Sequence, residues 1–281
     1  MALIKHITDT ARWAAFYRAQ ESDRSDAVFI DPLARRLAGD RGAEIAAAFQ
    51  MGAQNSWSFV ARTWLYDRYI QEAVAHGVDL VLSLAAGLDA RPYRMELPAT
   101  LSWVEVDLPD MIDFKTDALR DETPRCRLQR VALDLTQGEA RRDFLQSQRG
   151  SRGLVMTEGL LAYLPSQEVA SLARDLAATP VLQGWATDIM SPALLATMTP
   201  QMVRLFGAGV SPLQFAPANG PAWFRPLGWQ VRQVGSLLKT AHQLGRLPPQ
   251  MRPMAALPET PERPGVATWA GVCWFEKAAA T

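Results

Sequence analysis

Four short strings carry residues that could do chemistry together. The apolar run VDLVLSL leads into Ala85, Ala86, Gly87, Leu88 and Asp89; LSWVEV ends on Asp107; CRLQRVAL ends on Asp134 and Leu135; GLVMT ends on Glu158 and Gly159. If each run is a strand of one parallel sheet, these residues gather beyond its carboxyl ends, where open α/β sheets bind ligands. Gly87 lets the backbone approach a ligand closely. Asp107, 20 positions further on, is placed to accept hydrogen bonds from both hydroxyls of a ribose. Asp134 suits the exocyclic amine of adenine with Leu135 against the ring, and Glu158 suits a cationic group near a reactive centre. The competing reading of any one acid is a solvated loop residue or a helix cap. Four in register point to a nucleoside.

That nucleoside has little provision for phosphate. A dinucleotide site wants three spaced glycines before a helix, whereas LAAGLDARPY has one glycine and then Pro92. No GxxxxGK[ST] string occurs, and no tyrosine stands four residues before a lysine, the pair many nicotinamide-dependent reductases use. S-Adenosylmethionine fits better: ribose and adenine for Asp107 and Asp134, an amino-acid tail for Gly87, and a sulfonium near acidic or aromatic groups. An NAD(P)-dependent reductase and a non-catalytic cofactor-binding remnant remain as the alternatives.

The elements that must hold these residues follow from periodicity. Residues 1–76 read as a helical cap, with TDTARWAAFYRAQE, DPLARRLAG ending at a glycine, and SWSFVARTWLYDRYIQEAVAHG. Residues 78–190 alternate short apolar runs with helical stretches, which predicts a doubly wound parallel sheet in an α/β domain. Residues 191–226 form a long apolar insertion, read as a lid whose Met202, Phe206, Phe215, Trp223 and Phe224 face the pocket or simply fill the core. Residues 227–281 pair WQVRQVGS with ATWAGVCWFEK as a terminal hairpin, joined through a proline-dense stretch from Arg246 to Gly265 expected to be partly mobile. The whole chain of 281 residues reads as a single domain.

Composition narrows the partners. Twenty-nine basic and 29 acidic residues balance to zero, so no net field draws nucleic acid or an anionic membrane. Two cysteines give neither a disulfide scaffold nor a zinc knuckle, so no metal is expected. No signal peptide or spanning run is evident, and a soluble cytoplasmic enzyme with a small-molecule acceptor is the expectation. Oligomeric state is left open.

The strings VDLVLSLAAGLDARPYRM, WVEVDLP with a downstream lysine, ALDL and TEGLLAYL together resemble the leucine carboxyl methyltransferase family, in its bacterial S-adenosylmethionine-dependent branch. TARWAAFYRAQE, DPLA and ARTWLYD extend the likeness, so that it runs from about Thr8 to Leu164. The resemblance implies a Rossmann-like, doubly wound, seven-stranded methyltransferase sheet with an N-terminal helical cap and a C-terminal β-hairpin. It implies that Arg62 grips the methionine carboxylate, a use suited to a bidentate fork, and that Gly87 lies under the methionine tail. Asp107 with its neighbour Leu108, the pair Asp134 and Leu135, and Glu158 complete the implied cofactor site. Tyr163 falls beside the point of methyl transfer as the catalytic candidate, and Tyr17 and Arg18 fall on a substrate-facing position. One departure stands out: the family pattern LGxGxDxR has a glycine where this chain has Ala85, and a methyl group there matters if the backbone needs a positive φ.

A carboxylate acceptor is ionised at neutral pH and needs no base, whereas a hydroxyl needs one. The three histidines, His6, His76 and His242, sit in a terminal segment, at a helix end and in a variable helix. Their placement favours O-methylation of a carboxylate over a hydroxyl, on a small and fairly hydrophobic metabolite. The pocket cation such an acceptor wants would be Arg18, Arg91 or Arg94.

Overall fold

The computed structural model describes residues 8–48, 52–206, 213–261 and 267–278. Its chain opens with three helices, α1 (Thr8–Ser22), α2 (Ala34–Ala48) and α3 (Gly52–Ala75), and then alternates strands and helices: β1 (Leu80–Leu84), α4 (Arg91–Arg94), β2 (Ser102–Asp107), α5 (Pro109–Ala118), β3 (Arg127–Ala132), α6 (Gly138–Ser147), β4 (Gly153–Thr157), α7 (Ser166–Ala178) and β5 (Leu182–Met190). After β5 come α8 (Pro192–Phe206), a 3-10 segment (Gly220–Leu227), β6 (Trp229–Ser236), α9 (Leu237–Gln243), α10 (Arg252–Ala255) and β7 (Ala270–Lys277). None of these helices is long and apolar enough to cross a membrane.

All seven strands form one sheet in the order β3-β2-β1-β4-β5-β7-β6. The first five run parallel, and β7 lies antiparallel between β5 and β6. Side-chain alternation sends Leu80, Leu82 and Leu84 of β1 to one face, where α6 and α7 pack, and Val81 to the other, where α3, α9 and β7's Val272 and Trp274 pack. Both faces of β1 and β4 are therefore buried, which is why their sequences are continuous apolar runs. The strand order reverses between β1 and β4, so the switch-point crevice opens beyond those two ends.

Several expectations change in detail. Helix α2 does not stop at Gly39 but kinks there, at φ 57°, and continues to Ala48. Phe215, Trp223 and Phe224 are core: they stack edge-on with one another and, through Phe224, with Trp185 in β5. The side chain of Phe206 lies outside the described residues. The proline-dense connection is built where it is described, through residue 261. Arg246 there donates to the buried Glu21 carboxylate at 2.8 Å and to Asp26 at 3.1 Å, tying this segment to α1. Residues 262–266 of that stretch lie outside the described residues.

Candidate cofactor and acceptor site

One cavity of about 640 Å³ opens over the carboxyl ends of β1 to β5 and runs back beneath α1, α3 and α8. Gly87, Asp107, Leu108, Asp134, Leu135 and Glu158 all line it, as do Ala85, Arg18, Arg62 and Tyr163. Tyr17 does not. Its ring is buried in the cluster with Trp13, Ile45 and Met202, behind the cavity wall.

The loop after β1 is shaped by two left-handed residues. Gly87 has φ 48°, and a Cβ there would meet the Cβ of Ala11 at 3.3 Å. Ala85 has φ 54° and is the one non-glycine residue with positive φ among the described residues. An L-residue in that region costs about 1–2 kcal/mol, so this alanine carries strain that a glycine would not. Replacing Ala85 by glycine should raise stability by up to about 1 kcal/mol, after the added flexibility of the unfolded chain is subtracted. A denaturant midpoint equal to or below that of the parent would show that the strain is absent.

Asp107 holds this loop. Its Oδ2 accepts from the Gly87 N–H at 2.7 Å and its Oδ1 from the Leu108 N–H at 2.8 Å. Each carboxylate oxygen has a second lone pair left for a ligand hydroxyl. Burial pushes its carboxyl above the usual aspartate value, against the pull of those two N–H groups. Leu108 beside it is 39% exposed, an apolar surface at the rim on which a flat ring could rest. Asp134 is partly used by its own turn: Oδ1 accepts from the N–H and the hydroxyl of Thr136, which hold its pKa below the usual value. The capping role weighed against a ligand role is thus real for one of its oxygens. Leu135 turns its carbonyl to Arg141 at 2.6 Å.

Glu158 belongs to a buried chain of charges. Arg91, 1% exposed, donates through Nη1 to Glu158 at 2.8 Å and to Asp89 at 3.0 Å, and through Nε to Asp67 at 2.6 Å. Burial raises the Asp89 carboxyl, but the facing Arg91, Lys115, Arg18 and Arg94 outweigh it and bring it down to about 2. Glu158 is likewise lowered, burial being outweighed by Arg91 and Arg62. Arg62 lies 3.2 Å from Glu158 and 3.5 Å from Asp188. Arg62 makes the contact to Glu158 through Nε, which faces Oε1 of that carboxylate without hydrogen-bond alignment. Its guanidinium also sits over the Phe59 ring, 5.2 Å from the centroid, so it marks the junction between the acidic rim and an apolar lobe. Arg18 is committed to Asp31 at 3.1 Å and to the Leu88 carbonyl at 2.6 Å, clamping α1 onto the β1 loop.

Asp188, at the end of β5, was not among the expected residues. Its Oδ1 accepts from Gly159 N–H at 2.7 Å and from the Tyr66 hydroxyl at 3.1 Å, fixing the turn after β4. The strand-end rule applied to WATDI would have found it. Tyr163 faces the same region, and burial lifts its hydroxyl to about 12. Neither His76 nor His242 lines the cavity, and His6 lies outside the described residues.

The family model described as leucine carboxyl methyltransferase matches residues 11–177. A Streptomyces avermitilis protein, provisionally named an S-adenosyl-L-methionine-dependent methyltransferase, is 31% identical, the match spanning 91% of this chain and 92% of that one. A similarly named Streptomyces coelicolor protein is also 31% identical, over the same shares of each chain. Among solved structures, a DUF574-family protein of Streptomyces avermitilis superposes with a TM-score of 0.55 at 14% identity, covering 95% of this chain and 97% of the other, which is a likeness of fold.

Proposed function

The chain belongs to the leucine carboxyl methyltransferase family, and from that premise we propose that it is an S-adenosylmethionine-dependent O-methyltransferase acting on a small apolar acceptor. The observation that carries this is the convergence of five parallel strand ends on one cavity, with Asp107 anchored across the Gly87 loop. Asp107 would hold the ribose hydroxyls, Leu108 and Leu135 the adenine faces, and Asp134 the exocyclic amine. The Arg62 guanidinium would take the methionine carboxylate, and Glu158 would face the ammonium group. When bound, S-adenosylmethionine supplies a methyl group on a sulfonium, an electrophile that needs alignment more than activation. The residues of α1, α3 and α8 over the cavity exclude water from the acceptor's approach. Tyr163 borders that approach with a hydroxyl that stays protonated at neutral pH, so it orients rather than abstracts. Arg18 serves by holding the loop.

Titration of the purified protein with S-adenosylhomocysteine in a calorimeter should give micromolar, one-to-one binding, and titration with NADH should give none. Absence of heat with S-adenosylhomocysteine would remove the proposal.

A further inference from the structure

We propose that the acceptor is bound uncharged, as an apolar hydroxyl compound and not as a carboxylate. This rests on the methyltransferase reading above and concerns the same cavity. The charges on the cavity wall at Arg18, Asp89, Glu158, Arg62 and Asp188, and those packed behind it, form one connected chain of contacts. It runs from Arg18 through Asp31, Arg94, Asp67, Arg91, with Asp89 as a branch, to Glu158, Arg62 and Asp188. Four guanidiniums face five carboxylates, so the ion-paired chain carries one negative charge in excess, and Lys115, the further cation acting on Asp89, is itself paired with Glu105 at 2.7 Å. Further along the rim, Asp107 and Asp134 have no cation within ion-pair distance among the described residues.

That excess suits S-adenosylmethionine, whose sulfonium and ammonium outnumber its one carboxylate. It does not suit a second anion. The cations expected to receive an acceptor carboxylate, Arg18, Arg91 and Arg94, each face an acid at 3.1 Å or less. The third arginine on the described cavity wall, Arg141, is paired with Asp175 at 2.6 Å, and no lysine or histidine lines it. A carboxylate entering here would be desolvated against a negative wall on which each described arginine already faces an acid, the costly case for a buried ion.

The lobe beyond Arg62 has the opposite character. Trp13, Phe59, Ala162, Tyr163, Met198 and Met202 pack against one another and line the cavity together. Such a surface gains by covering apolar area, and its methionines fit an acceptor of irregular outline. At the boundary between lobe and rim, Asp188 offers Oδ2, whose nearest donor among the described residues is Arg62 at 3.5 Å. That oxygen is the place on this wall for the proton a neutral hydroxyl must give up.

The test measures binding alone. The protein is saturated with sinefungin, which carries an amine where S-adenosylmethionine carries its sulfonium methyl. It is then titrated with two matched pairs, 2-naphthol against 2-naphthoate and 1-decanol against decanoate, near neutral pH, where both acids are ionised and both alcohols are not. Calorimetry, or quenching of Trp13 and Trp57, which line the cavity, reports affinity. Each alcohol should bind at least about tenfold more tightly than its acid, one factor of ten being about 1.4 kcal/mol. The gap should narrow in Asp188→Asn, or in Glu158→Gln where the first variant does not fold. An acid that binds as tightly as its alcohol in either pair overturns the inference. A sinefungin complex that binds no probe overturns the lobe as the acceptor's seat. Failure of sinefungin itself to bind overturns the functional reading underneath.

Discussion

Asp107→Ala is expected to weaken S-adenosylhomocysteine binding by about 30- to 150-fold, the loss of charge-assisted hydrogen bonds being worth about 2–3 kcal/mol. Two effects add. The variant removes the acceptor for the ribose hydroxyls, and it releases the Gly87 N–H that the carboxylate now holds at 2.7 Å. Calorimetric titration of parent and variant at one salt concentration measures it, and an affinity within threefold of the parent would show that the ribose sits elsewhere. The parent should also lose affinity on acidification. Burial raises the Asp107 carboxyl, so it protonates, and stops accepting from hydroxyls, at a pH above the ordinary aspartate value of 3.8. Linkage gives the opposite sign for stability: a carboxyl raised in the fold favours folding below its unfolded pKa and gives that up as pH rises through its folded one. Acid should therefore weaken binding through Asp107 without weakening the fold through it, and in Asp107→Asn this part of the pH dependence should vanish.

Arg91→Met should lower the melting temperature by ~10 °C. The side chain is 1% exposed and faces Asp67, Asp89 and Glu158. Removing one partner of a buried ionic group costs about 3–5 kcal/mol, and a chain of this size loses roughly 2–4 °C per kcal/mol. In the parent, the lowered carboxyls of Asp89 and Glu158 stabilise the fold above their unfolded pKa values, and that contribution fades as pH falls through the folded ones. In the variant the orphaned carboxylates would be raised by burial instead. The deficit should then shrink as pH is lowered from 7 toward 5, where those groups take up protons. A melting temperature within 3 °C of the parent's at pH 7 would mean that the acids find other partners. Cofactor affinity should fall with stability, because Glu158 and the β1 loop are positioned through Arg91.

The strand-end residues were legible because a parallel sheet has one functional edge, and periodicity alone says where each strand stops. Gly87, Asp107, Asp134 and Glu158 could be assigned to one place before any contact was known. Asp188 obeys the same rule at the end of the fifth strand, in the string WATDI. Phe215, Trp223 and Phe224 show the limit of composition. A run of aromatics after β5 reads equally as pocket or core, and here they close over Trp185. Tyr17 and Arg18 are adjacent on α1, yet one is buried behind the cavity wall and the other clamps the β1 loop. Neighbouring positions on a helix point about 100° apart, so adjacency in sequence says nothing about a shared surface.

The sequence by itself determined the doubly wound sheet, the gathering of Gly87, Asp107, Asp134 and Glu158 beyond its strand ends and the family, since each depends on local period and local residue type. Which charges face which was decided by the tertiary structure. Arg62 comes from the helical cap, Arg91 from the first loop, Glu158 from the fourth strand end and Asp188 from the fifth, and only packing those segments together makes four arginines meet five acids. Electrostatic balance depends on distances across the fold, and distances between remote segments are set by how the layers pack, a quantity no local pattern encodes.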